Sequence, residues 1–124
     1  MMVDVSSRGL QIFGLTRIAY GAYVLAKPAA GAASWLGSAG AGPGPEVLMR
    51  SVGARDAAIG VALAARIGSP TAIAKGAIVL DLADLAATFA ARGRLDKGQL
   101  VKVAAVVLTY ASITAALLAQ AQKD

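Results

Sequence analysis

Four apolar stretches joined by short polar or Gly/Pro-rich connections run along the chain: residues 10–27, 47–66, 71–91 and 99–120. Each is close to the ~20 residues that carry a helix across the hydrocarbon of a bilayer. None alternates with period two, so the pattern predicts helices rather than strands. At 100° per residue, Leu10, Phe13, Gly14, Arg17, Tyr20, Gly21 and Val24 share one face of the first stretch, and Leu15, Ala19, Ala22 and Ala26 the other. The second stretch gathers Met49, Gly53, Asp56, Ala57, Gly60 and Ala64 on one side. The third gathers Ala74, Ala77, Asp81, Asp84, Leu85 and Thr88. The fourth presents Val103, Val106, Val107, Tyr110, Ile113, Thr114 and Leu117, and carries no charge from Val103 to Gln122.

Between the first two stretches, residues 28–46 read PAAGAASWLGSAGAGPGPE, a loop composition. A short surface helix over 29–36, ended by Gly37, fits inside it. Trp35 is expected as an interfacial anchor, since an indole is half apolar and half wet. Residues 1–8 read as a polar lead. They are not a cleaved signal, because Arg17 interrupts the apolar core that a signal peptide needs.

Composition moves the picture from water toward lipid. Hydrophobic residues make up 57% of the 124-residue chain and charged residues 15%, against about 25% charged in ordinary soluble domains. Mean hydropathy is +0.65. The expectation is an all-α, antiparallel four-helix transmembrane bundle, forming a single integral domain over residues 1–124. It is expected as a multi-pass protein of the cell inner (plasma) membrane with the lipid bilayer as its first partner. Lys27, Arg92, Arg94, Lys97 and Lys102 collect at one end, which under the positive-inside rule puts both termini outside. The net charge of +5 is scattered and has no interleaved aromatics, so nucleic acid is not expected. With no Cys and no His, no metal or cofactor is expected.

The chemistry lies in the middle of the spans. Arg17, Arg55, Asp56, Asp81 and Asp84, with Tyr20 and Tyr110 at similar levels, form an expected intramembrane polar network. Each such charge costs at least a few kcal/mol unless it is partnered. The segments Gly14-x-x-Arg17-x-x-x-Gly21 and Gly53-x-x-Asp56-x-x-x-Gly60 share a spacing, which reads first as a chance match in a Gly/Ala-rich chain and, as the alternative, as Arg17 and Asp56 pairing across two spans. Gly14, Gly21, Gly53 and Gly60 are expected to let the helices pack closely. Arg55 points away from Asp56's face and needs another partner. Two cations against three carboxylates leave one acid without a cation, unless Arg50 or Lys75 reaches inward.

These residues carry a resemblance. Gly53-Ala-Arg-Asp-Ala-Ala-Ile-Gly60, with Arg17-Ile-Ala-Tyr-Gly21 before it and Asp81-Leu-Ala-Asp84 after it, resembles a family of small four-helix bacterial membrane proteins frequent in actinobacteria, of unassigned activity. The chain is also distantly similar to DoxX-type four-helix proteins, linked with redox and sulfur metabolism. The resemblance implies a four-helix membrane protein without a defined reaction.

Three functions follow from these readings. The first is a structural or accessory interaction protein, as a homo-oligomer or beside a partner membrane protein, with the Arg/Asp network as its internal joint. The second is a small carrier or channel for a proton, ion or polar solute, acting as an oligomer. The third, lipid chemistry by the Asp81 and Asp84 carboxylates, lacks a nucleophile nearby, so an enzyme is not expected.

Overall fold

The computed structural model describes residues 5–123, all-helical apart from short connections. The first four residues of the expected polar lead lie outside them. The helices are α1 (Val5–Ala26), α2 (Pro28–Leu36), α3 (Pro43–Ala64), α4 (Pro70–Ala90) and α5 (Lys97–Lys123), with 3-10 turns at Gly37–Gly40 and Arg92–Arg94. The four long helices alternate in direction, and α2 lies across the end where α1 finishes and α3 begins.

Local signals set these boundaries. Proline stands at the start of α2, α3 and α4, where its missing N–H costs nothing and its fixed φ suits the first turn. The Ser69 hydroxyl accepts from the Ala72 backbone N–H (3.2 Å) to cap α4, and Asp96 Oδ2 accepts from that of Gln99 (3.2 Å) to cap α5. Gly37, at φ 61°, stops α2. The segment expected as a loop therefore differs from that reading. Its alanines sustain α2, its glycines turn the chain, and Pro43 starts α3 four residues before the apolar run begins.

Among the long helices as described, α1 and α3 pack backbone to backbone. A Cβ placed on Gly14 would lie 2.7 Å from the Gly60 carbonyl oxygen and 2.9 Å from the Ala64 nitrogen. One on Gly53 would lie 2.9 Å from the Gly21 carbonyl oxygen. The pairs Gly14–Gly60 and Gly21–Gly53 thus bring two antiparallel backbones together at two levels a heptad apart, leaving room only for hydrogen.

Around this pair the distribution of polarity is inverted. Two small apolar clusters lie near opposite ends, Leu10, Ala74 and Leu118 at one and Val24, Ala32 and Met49 at the other, with Leu63, Ala77, Val103, Val107 and Ala111 buried besides. Between them the interior holds Arg17 (3% exposed) and Asp56 (8% exposed). Leu15, Val61, Val79, Leu108 and Ile113 face outward, as do Ala19, Ala22 and Ala26. Val106 and Ile113, expected on the inner face of α5, are also largely exposed.

Among the described residues, one helix is long and apolar enough to cross a membrane by length and composition alone: α5, over Lys97–Ala121, with mean hydropathy 1.9. The other long helices, α1, α3 and α4, fall short of that test. Arg17, the Arg55–Asp56 pair, and Lys75 with Asp81 and Asp84 interrupt them.

Candidate functional site: a buried arginine–aspartate lattice beneath a cavity

Arg17 projects from α1 between the two glycine contacts, where α3 is too close to admit anything but a specific partner. Its Nη1 donates to Asp56 Oδ1 at 3.1 Å, and its Nη2 to Asp81 Oδ2 on α4 at 2.5 Å. One position before Asp56, about 100° around the helix, Arg55 turns toward α4. There it forks onto Asp84, with Nη1 to Oδ1 at 3.2 Å and Nη2 to Oδ2 at 2.5 Å. The same Nη2 stands 3.8 Å from Asp56 Oδ1. Charges therefore alternate from Asp81 through Arg17, Asp56 and Arg55 to Asp84.

The expectation that one acid would lack a cation is corrected here. Arg17 and Asp56 each bridge two partners, so all three carboxylates touch a guanidinium. Arg50 and Lys75 are exposed and stay out of the lattice. With all three acids ionised, charge balance is nevertheless incomplete, because two guanidiniums face three carboxylates. Arg17 Nε and Arg55 Nε are buried without an acceptor among the described residues.

Aromatic and hydroxyl groups finish the floor. The Arg17 guanidinium sits 5.1 Å from the Tyr110 ring centroid, within cation–π range. The Tyr110 hydroxyl hydrogen-bonds the Thr16 hydroxyl, and its ring meets Phe13 at 4.1 Å between centroids. Tyr20 lines the same space but makes no hydrogen bond to the lattice among the described residues.

Above this floor lies a cavity of about 230 Å³. Val52 on α3 and Val103, Val106 and Val107 on α5 make its walls, and Ser34, Trp35 and Lys102 its upper rim. Trp35, expected at the interface, is half-buried and turned into the bundle. Its Nε1 donates to the Thr88 hydroxyl (3.1 Å), which donates to the Asp84 backbone carbonyl (2.7 Å). From α5, Gln99 Nε2 donates to the Ser34 and Trp35 carbonyls, and Lys102 Nζ reaches Ser34 O at 3.3 Å. These donors cap the exposed carbonyls of α2 and hold it over the cavity.

The structure brings Arg17, Arg55, Asp56, Asp81 and Asp84 into one cluster with Tyr110, and Gly14, Gly21, Gly53 and Gly60 into the α1–α3 contact. Sequence reasoning missed Thr16 and Gln99, and did not connect Thr88 to Trp35. One signal was available: Thr88 lies four residues after Asp84, on the same face of α4. Among the described residues no group of three or more His, Cys, Asp or Glu is placed to hold a metal ion. No protein-family model, curated protein or solved structure matches this chain.

Proposed function

We propose that this protein is a four-span membrane protein, of the plasma membrane, whose Arg/Asp lattice is the internal joint of a structural or accessory subunit. The observation that carries this reading is the inversion of polarity: the charges of the helix centres point inward while Leu, Val, Ile and Phe cover the outside. In water an apolar surface of that extent is an aggregation liability; in lipid it is the favoured surface. The weak hydropathy of α1, α3 and α4 fits the same reading, since Arg17, Arg55, Asp56, Asp81 and Asp84, five of the residues that lower it, pair with one another between the helices. Connections of a few residues leave no soluble platform for an independent reaction, which favours an interaction role over an enzymatic one. The resemblance to small four-helix bacterial membrane proteins points the same way.

The test is extraction and copurification. The chain is expected to stay with membranes through an alkaline carbonate wash and to leave them in mild detergent with a stoichiometric membrane partner or as a homo-oligomer. A folded monomer in detergent-free buffer would overturn the membrane reading. A lone monodisperse species in detergent would overturn the accessory one.

The cavity favours a second reading, a small carrier or channel. Its lining supplies charge from Arg17, Arg55, Asp56, Asp81 and Asp84, and includes Ser34 and Trp35 of α2. Reconstituted vesicles that show no flux for protons, ions or polar solutes across a wide pH range would exclude it.

A further inference from the structure

The lattice and the cavity above it carry an inference about ligand chemistry. Asp56 uses Oδ1 for its guanidinium contacts and Asp81 uses Oδ2. Their second oxygens make no hydrogen bond among the described residues. They are also not among the sealed, unpartnered atoms, which are the two arginine Nε atoms. Both side chains line the cavity, only 11% and 13% exposed, and each keeps one carboxylate oxygen without a hydrogen bond among the described residues. The lattice that holds them is one positive charge short. Burying an uncompensated charge is expensive, and one added cation removes the expense.

The walls define what that cation carries. Val103, Val106 and Val107 offer hydrocarbon, and Trp35 and Tyr20 add aromatic rings, the side chains that attract cations, to the lining. Lys102 does not supply the missing charge. It lies eight residues from Tyr110, about 12 Å along α5, exposed and turned onto Ser34. A cavity of roughly 150 Å³ is enough for benzene, so about 230 Å³ admits a ring or short branched chain with its head group.

We propose that this cavity binds a small monovalent organic cation, its charged head against the free oxygens of Asp56 and Asp81 and its apolar body along the valines of α5. The proposal concerns equilibrium binding, so it stands or falls apart from whether any solute crosses a membrane or any partner protein is present.

Trp35 is the single tryptophan of the chain and lies on the cavity rim, so its fluorescence reports occupancy. The purified full chain in mild detergent is titrated with benzyltrimethylammonium and, separately, with neopentylbenzene, its uncharged carbon isostere. The expected result is a saturable change with the cation, at least roughly tenfold weaker with the isostere. Asp56→Asn balances the lattice at two charges of each sign and is expected to weaken the cation by a similar factor. Val103→Phe, at a buried position of the cavity wall, fills the cavity without replacing a lattice residue and is expected to weaken both compounds. Equal binding of cation and isostere overturns the proposal, as does cation binding that both variants leave unchanged. A site that holds only a proton gives no saturable response to the cation at any pH, which also overturns it.

Discussion

Arg17 and Asp56 occupy the two positions where the cost of an error is highest, and the cost is asymmetric. Removing Arg17 leaves Asp81 without a cation and Asp56 with only its 3.8 Å contact to Arg55, in an interior where breaking a buried pair costs about 3–5 kcal/mol. Arg17→Gln is therefore expected to lower unfolding stability in detergent by about that amount. Asp56→Asn keeps an oxygen for Arg17 and cancels the surplus negative charge, so its expected loss is under ~1.5 kcal/mol. Equal losses from the two substitutions would mean that charge balance is not what the lattice is built on. A smaller effect belongs to Arg66, which takes φ 55° after α3 while the Ile67 N–H closes onto Ala62 O (2.9 Å). That left-handed position suits glycine, and Arg66→Gly is expected to raise stability by about 1 kcal/mol despite losing the contact to Gln11. Thermal or denaturant unfolding of the purified variant measures it, and a loss of stability would contradict it.

At the scale of helices, the α1–α3 pair depends on four glycines in two reciprocal contacts. Gly21→Val or Gly60→Val drives a branched side chain into the partner's backbone, and each is expected to cost about 3 kcal/mol or more by separating the helices. Gly76→Ala on α4 meets nothing within 4 Å and replaces a poor helix former, so it is expected to be neutral or to gain up to ~1 kcal/mol. Comparing unfolding midpoints of the three variants separates close approach from mere flexibility. This contact was legible from sequence because Gly14, Arg17, Gly21 and Gly53, Asp56, Gly60 repeat one spacing, and antiparallel packing matches each glycine of one set to a glycine of the other. The Arg55–Asp84 fork was only half legible: helical geometry says that Arg55 leaves Asp56's face but not which helix it reaches. α2 was obscured by composition, since glycine and proline report turns whether they interrupt a helix or bracket one. Trp35's hold on Thr88 was hidden for another reason. An indole suits a membrane interface and a bundle interior equally well, and only the placement of α2 decides between them.

For the molecule as a whole, everything turns on which way the charges face and what the outer surface touches. Four apolar segments were readable, and the structure builds helices from each. Three fall short of a simple test of length and hydropathy, which counts the paired Arg17, Arg55, Asp56, Asp81 and Asp84 together with the exposed Arg50 and Lys75. The chain has no cysteine, so single cysteines can carry a nitroxide without a background to remove. The decisive measurement is the collision accessibility of such labels in lipid bilayers, to oxygen, which partitions into hydrocarbon, and to a water-soluble nickel chelate. Labels at Leu15, Val79, Val61 and Leu108 are expected to favour oxygen strongly, while labels at Lys27, Arg66 and Arg94 favour nickel. Nickel access at all seven positions would contradict a lipid-facing surface, and with it a lattice whose purpose is to neutralise charge inside a membrane bundle.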